Sequence, residues 1–144
     1  MTFLLDTNVL LELRRGRGKR ADPNVLSWAS EVAVISFYIS VVNLMELEMG
    51  VLRANRRDRS QATALRNWLQ NDIRPTFLGR IIPFDEPVAL RCAALHVPGT
   101  RSNRDAMIAA TALVHGMTVV TRNTADFDGM DVALLNPWDA SAAP

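Results

Sequence analysis

The sequence predicts an α/β fold in which a central, mainly parallel β-sheet is flanked by α-helices. Short apolar or β-branched runs typical of buried strands alternate with longer segments of helical periodicity. Each helical segment is long enough to connect two parallel strands by a crossover. A chain of 144 residues buries enough surface to form its own core, so we predict one domain over residues 1–144.

Local signals divide the chain into strands and helices. Strands are predicted where apolar, β-branched or aromatic residues stand together, at 2–5, 33–40, 80–84, 117–121 and, as an option, 132–135. Helices are predicted at 9–15, from 23 onward, and at 41–55, 60–78, 87–96 and 105–115. Asp22 before Pro23 and Ser40 before Val41 are typical helix starts, and Gly116 is a typical helix end.

The composition is that of an ordinary globular protein. Hydrophobic residues make up 49% and charged residues 22% of the chain, and the sequence contains no low-complexity tract or internal repeat. No apolar run is long enough to span a membrane, and the N-terminus lacks the basic lead of a signal peptide. We therefore expect a cytoplasmic protein. The single cysteine, Cys92, excludes an internal disulfide.

Basic residues are concentrated in two segments, although the net charge is only +1. The motif RRGRGKR at 14–20 is a glycine-containing loop, and RANRRDR at 53–59 lies late in a predicted helix. All of the 16 basic residues except Lys19 are arginine, which binds phosphate in a bidentate manner. This distribution suits a polyanionic partner such as a nucleic acid, but a solvated helix face would give the same composition.

Four acidic residues mark the edges or buried faces of the predicted elements. Asp6 ends the first strand, Glu46 lies among core-facing positions of a helix, Asp105 opens an apolar helix and Asp126 follows the strand at 117–121. Simpler roles stay open for three of them. Asp6 could cap the next helix, Glu46 could reach solvent, and Asp105 suits the first turn of a helix.

A meeting of these carboxylates would require a compensating cation. Functional groups of parallel α/β sheets collect beyond the carboxyl ends of the strands, where all four residues can meet. Like charges about 4 Å apart repel by roughly 1–4 kcal/mol, and the only lysine, Lys19, lies in the basic loop. Oxygen ligands without histidine or cysteine favour a hard divalent cation, Mg²⁺ or Mn²⁺, and such an ion supports phosphodiester hydrolysis.

Four ordered motifs resemble those of the PIN-domain ribonucleases, and specifically the VapC-type toxins of bacterial toxin–antitoxin pairs. The motifs are LLDTNVLLEL, SVVNLMELEMGVLR, RDAMIAATALVHGMTVVTRNTADF and LNPW, and the similarity runs from Thr2 to Trp138. The resemblance implies a PIN-like fold and a Mg²⁺-dependent endoribonuclease, in which metal-activated water attacks the RNA phosphodiester. It also implies a homodimer that is inhibited by a cognate VapB-type antitoxin.

The resemblance assigns site residues by position. The expected catalytic and metal-binding residues are Asp6, Glu46 and Asp105, with Asp126 at a more variable fourth position. The expected supporting residues are Thr7, Asn8, Thr121 and Asn123, and we expect Arg14, Arg15 and Arg17 to contact RNA. Arg104 departs from the small or apolar residue expected at its position, and we expect it to add a charge at the rim of the site.

Segments 9–13 and 41–52 predict a docking surface for the antitoxin. Their leucines, valines and methionines exceed what one buried stripe requires. An antitoxin tail could pack its apolar residues there and present an arginine to Asp6, Glu46 and Asp105.

Two other functions fit parts of the sequence. A phospho-acceptor receiver domain has a similar size, fold and Mg²⁺ site, but it needs a lysine at the end of a strand, and Lys19 does not lie at one. A non-catalytic RNA-binding regulator on a PIN-like fold stays open, because basic loops and a Mg²⁺ site would suffice for it.

Overall fold

The computed structural model describes residues 1–16, 20–99 and 101–141, and within them five short strands form one sheet. The strands are β1 (Phe3–Leu5), β2 (Phe37–Ser40), β3 (Ile81–Ile82), β4 (Thr118–Val120) and β5 (Leu134–Leu135). Their order is β3–β2–β1–β4–β5, and every neighbouring pair is parallel. The predicted parallel α/β sheet is confirmed, and the optional fifth strand is present.

Helices connect these strands. They are α1 (Thr7–Arg15), α2 (Pro23–Ser30), α3 (Val41–Asn55), α4 (Arg59–Trp68), α5 (Arg74–Thr76), α6 (Glu86–His96) and α7 (Asn103–His115). A π-helical turn, Leu69–Ile73, joins α4 to α5, so the predicted helix over 60–78 has a wider turn in its middle. No helix in the described parts of the chain is long and apolar enough to cross a membrane.

The predicted strand over 33–40 is shorter than expected. Its first half, Val34–Ser36, forms a 3₁₀ turn, and only Phe37–Ser40 is extended. The neighbouring strand β1 begins at Phe3, which pairs with Phe37. The β-branched residues Val34 and Ile35 therefore have no residue of β1 beside them with which to form strand hydrogen bonds.

Local capping signals define three helix ends as predicted. The Asp22 carboxylate accepts a hydrogen bond from the Asn24 backbone N–H at 2.8 Å, with Pro23 in the first turn of α2. Ser40 and Asn43 form a reciprocal capping box at the start of α3. Gly116 ends α7 at φ 65°, a left-handed conformation that glycine adopts at little cost.

The central strand β1 is buried on both faces of the sheet. Phe3 and Leu5 belong to one apolar cluster, in which the Phe3 ring lies edge-on to Trp28 with 5.3 Å between ring centroids. Leu4 points to the other face and packs in a second cluster with Ile108 of α7. Both faces are therefore covered, as expected for a parallel sheet.

Candidate active site

The carboxyl ends of the three central strands meet at one edge of the sheet. Ser40 ends β2, Asp6 follows β1 and Thr121 follows β4. The Asp6 backbone N–H donates to the Val120 carbonyl oxygen at 2.9 Å, which ties the end of β1 to β4. Ligands of open α/β sheets bind at such an edge.

Asp6 is both a helix cap and a member of an acidic cluster. Its side chain is buried, and Oδ1 accepts a hydrogen bond from the Thr7 backbone N–H at 2.8 Å at the start of α1. Oδ2 accepts from the Thr121 hydroxyl at 2.7 Å. Asp6 therefore caps α1, as one alternative proposed, but capping does not account for its second carboxylate oxygen, which the Thr121 hydroxyl holds just after β4.

Glu46 reaches the same edge from α3. The Thr7 hydroxyl donates to Glu46 Oε1 at 2.7 Å and accepts from the Asn43 side-chain amide at 3.1 Å. Asn43 is fully buried, and its amide oxygen accepts from the Ser40 backbone N–H at 2.9 Å. A chain of hydrogen bonds thus runs from the end of β2 to Glu46, and Asn43 is a site residue that sequence reasoning missed. The Ser-x-x-Asn spacing of the capping box was the available signal.

Arg104 lies among the three carboxylates. Its Nε and Nη2 donate to the two oxygens of Glu46 at 2.6 and 2.9 Å, and its Nη1 donates to Asp105 Oδ1 at 2.9 Å. Nη2 also donates to Asp6 Oδ1. Asp6, Glu46 and Asp105 therefore meet around one guanidinium, with α7 supplying both Arg104 and Asp105.

The prediction that Arg104 adds a charge at the rim of the site is wrong. Arg104 is the centre of the cluster, and its side chain is only 33% exposed. Burial by itself would lower the pKa of this guanidinium, but its hydrogen bonds to Glu46 and Asp6 outweigh burial and raise the pKa above its usual range. Arg104, rather than a lysine, therefore supplies the positive charge that faces the three carboxylates.

The predicted supporting residues lie around Asp6. The Thr121 hydroxyl, which donates to Asp6, accepts hydrogen bonds from the Asn8 side-chain amide at 3.4 Å and from the Asn123 backbone N–H at 3.1 Å. The Asn8 amide oxygen accepts from the Arg122 backbone N–H at 3.4 Å. These bonds fix α1 against the loop after β4, and so hold Asp6 in one orientation.

Asp126 does not share the Arg104 guanidinium with the other three acidic residues. It lies in a 3₁₀ turn, Thr124–Phe127, and its side chain is exposed. Within the described residues, no hydrogen bond or ion pair links its carboxylate to Arg104, the group on which Asp6, Glu46 and Asp105 converge. The structure thus brings together three of the four predicted acidic residues.

The predicted RNA-contacting arginines lie at the other end of α1. Arg14 and Arg15, with Arg20, line a cleft that Trp68 of α4 also lines, and the Arg14 guanidinium lies 5.6 Å from the Trp68 ring centroid. Arg17 lies outside the described residues. From Asp6 to Arg14 is about 12 Å at 1.5 Å of helix rise per residue. One helix therefore connects the acidic cluster to a basic cleft.

The acidic cluster suits a hard divalent cation by its chemistry. Its charged ligand groups are carboxylates, whose oxygens Mg²⁺ and Mn²⁺ prefer, and the three carboxylates already converge on a single cationic group. Among the described residues, no group of three or more His, Cys, Asp or Glu side chains is arranged to hold an ion as it stands. Asp6, Glu46 and Asp105 are thus oriented towards Arg104.

The fold and this site define an α/β protein in which three carboxylates gather at the carboxyl edge of a parallel sheet. The family model of the PIN domain matches residues 3–132. The chain therefore belongs to the PIN-domain family, and the family indicated by its four motifs is confirmed.

Individual relatives are similar over almost the whole chain. Toxin FitB from Neisseria gonorrhoeae is 38% identical over 142 residues, which cover 94% of this chain and 98% of that protein. VapC ribonuclease Y4jK from Sinorhizobium fredii is 33% identical, with 95% and 98% covered. The crystal structure of FitAcB from Neisseria gonorrhoeae is similar at a TM-score of 0.85 and 37% identity, covering 95% of this chain and 99% of that one.

Proposed function

We propose that this protein is a metal-dependent endoribonuclease and the toxin of a toxin–antitoxin pair. The observation that carries the proposal is the convergence of Asp6, Glu46 and Asp105, from three separate elements, at the carboxyl edge of the sheet. Its PIN-domain family and its similarity to proteins named as a toxin and as a VapC ribonuclease support this activity. In this proposal one domain spanning residues 1–144 acts in the cytoplasm.

Mg²⁺ is the proposed cofactor, and Mn²⁺ is the alternative. Asp6, Glu46 and Asp105 would hold the ion, and Asp126 would support it from the exposed turn after β4. When bound, the ion would stabilise charge on the phosphate and lower the pKa of water at the site. Hydrogen bonds from the Thr7 and Thr121 hydroxyls hold Glu46 and Asp6 in place, so that these carboxylates lose little freedom on binding.

The basic cleft is the proposed path for RNA. Arg14 and Arg15 offer planar guanidinium groups for phosphate, about 12 Å along α1 from Asp6. Arg17, between them and Arg20 in sequence, belongs to the same proposed contact set. Contacts at this distance would position the strand without taking part in bond cleavage.

Cleavage of labelled RNA with Mg²⁺ and with EDTA tests the nuclease proposal. We expect cleavage only with metal, and Asp6→Asn should lower its rate by about a hundredfold or more, the scale of losing one electrostatic stabiliser. Asp131→Asn is the matched control, because Asp131 is exposed and its φ of 55° is one that asparagine also tolerates. Equal rates for wild type and a folded Asp6→Asn protein would overturn the assignment.

The same assay separates the enzyme from the alternative, a non-catalytic RNA-binding regulator. The basic cleft is compatible with both functions, since it requires only binding of RNA phosphates. Stable RNA binding without cleavage, in the presence of Mg²⁺ or Mn²⁺, would favour the regulator. Metal-dependent cleavage would exclude it.

Exposed apolar side chains on α1 and α3 support a protein partner, which we propose is a VapB-type antitoxin. Met45 and Leu52 of α3 are 51% and 56% exposed, and Leu11 of α1, Val41 and Met49 are also exposed. Of the apolar stripes in α3, only the one containing Leu47 and Val51 is buried. The surface near segments 9–13 and 41–52 is therefore available to an apolar helix of a partner.

Co-expression with the neighbouring small reading frame tests this partner. We expect a stable complex whose ribonuclease activity rises when the partner is removed by proteolysis. Met45→Asp with Leu52→Asp should abolish the complex, whereas Leu90→Asp, at a 66% exposed leucine of α6, should not. We also propose a homodimer, which light scattering of the free protein checks. No complex, or an intact complex as active as the free protein, would contradict the toxin proposal.

A further inference from the structure

The acidic cluster is occupied by a side chain of the protein itself. The guanidinium of Arg104 uses its Nε and both Nη groups to donate to Asp6, Glu46 and Asp105. Bonds of this kind between charged groups are roughly twice as strong as neutral ones. Four carboxylate oxygens, one from each aspartate and both from Glu46, are engaged in this way.

These are oxygens that a divalent cation at the same cluster would need. A cation and a guanidinium cannot both lie between the same three carboxylates, because like charges repel and the space is shared. We propose that Arg104 and the divalent cation are alternative occupants of the cluster, so that a metal ion must displace the guanidinium to bind. This inference rests on the proposed metal dependence.

Two of the three carboxylates keep other hydrogen bonds when Arg104 leaves, whereas the Asp105 carboxylate has no other hydrogen-bond partner among the described residues. Without Arg104, Asp6 keeps its hydrogen bonds from the Thr7 backbone and the Thr121 hydroxyl, and Glu46 keeps the Thr7 hydroxyl. The Arg104 side chain is 33% exposed, so its long flexible chain can turn towards solvent while the backbone of α7 stays fixed. In the metal-free protein, Arg104 thereby offsets one of the three negative charges of the cluster, at the cost of weaker metal binding.

Titration with Mn²⁺ by calorimetry tests the exchange without measuring cleavage. Arg104→Gln should bind Mn²⁺ at least about tenfold more tightly than wild type, since no guanidinium has to leave. In EDTA the same variant should melt at a lower temperature than wild type, and Mn²⁺ should raise its melting temperature more. Arg66→Gln is the matched control, because Arg66 makes a bidentate pair with Glu48 of α3 and does not touch the cluster.

Two further measurements test the exchange even if Arg104→Gln does not fold. Arg104→Lys keeps a compensating charge but lacks the planar fork, and it should also bind Mn²⁺ more tightly than wild type. In the wild-type protein, NMR should show a slowly exchanging Arg104 Nε–H in EDTA, and this protected signal should disappear on saturation with Mg²⁺.

The outcomes separate this inference from the proposed function. If wild type binds metal and cleaves RNA with it, but Arg104→Gln and Arg104→Lys bind Mn²⁺ no more tightly, the exchange is refuted and the nuclease proposal stands. A protected Arg104 signal that persists in saturating Mg²⁺ would refute it as well. If neither wild type nor the variants bind Mn²⁺ or Mg²⁺, the proposed metal dependence fails and the inference fails with it.

Discussion

Replacement of Asn43 by alanine should destabilise the protein and weaken the position of Glu46. Asn43 is 0% exposed, and its side chain connects Ser40 to Thr7. The alanine variant leaves the Ser40 backbone N–H without its partner in a buried place, which costs about 1–3 kcal/mol. The hydrogen bond that the Asn43 amide donates to the Thr7 hydroxyl is lost as well, which adds about 1 kcal/mol. We therefore expect the free energy of unfolding to fall by roughly 2–4 kcal/mol.

Urea denaturation measures this change directly. The midpoint should move to lower urea at an unchanged slope, and the melting temperature should fall by roughly 5–15 °C. Asn55→Ala is the control, since Asn55 is exposed at the end of the same helix and its loss should change stability by less than about 0.5 kcal/mol. If Asn43→Ala lowers the free energy of unfolding by less than about 1 kcal/mol, the buried hydrogen bonds of Asn43 to Ser40 and Thr7 can be replaced and the reasoning is refuted.

Three further predictions follow from single features of the structure. Arg14→Ala with Arg15→Ala should reduce the salt dependence of single-stranded RNA binding by about 1.4 in log K per decade of salt, and an unchanged slope would place RNA elsewhere. Gly116→Ala should cost about 1 kcal/mol in urea denaturation, because alanine is strained at φ 65°. Glu48→Gln should cost less than about 1 kcal/mol at neutral pH, since the pair with Arg66 is partly exposed. The hydrogen bond from Arg66 lowers the pKa of Glu48. The stabilisation by this pair is therefore fully present above the ordinary pKa of 4.5, and it is lost as the pH falls through the lowered pKa of Glu48. An energetic cost of Glu48→Gln that stays the same in acid would contradict this prediction.

The sequence by itself determined most of the elements and the grouping of three acidic residues. Helix starts at Asp22 and Ser40 and the end at Gly116 depend on contacts within a few residues, so their signals are local and were correctly interpreted. Alternation of apolar strands with helices was sufficient for a parallel sheet, because only crossover connections fit that order. The placement of Asp6 followed from its position directly after a buried strand.

Only the tertiary structure decided what surrounds the carboxylates. Arg104 and Asp105 are adjacent in sequence, but Arg104 contacts residues 58 and 98 positions away, and no local pattern shows where its long side chain ends. Asp126 has the same residue type as Asp6 and a similar place after a strand, yet the 3₁₀ turn leaves it in solvent. Such contacts depend on how α3 and α7 pack on the sheet, and that packing is a property of the whole chain rather than of any one segment.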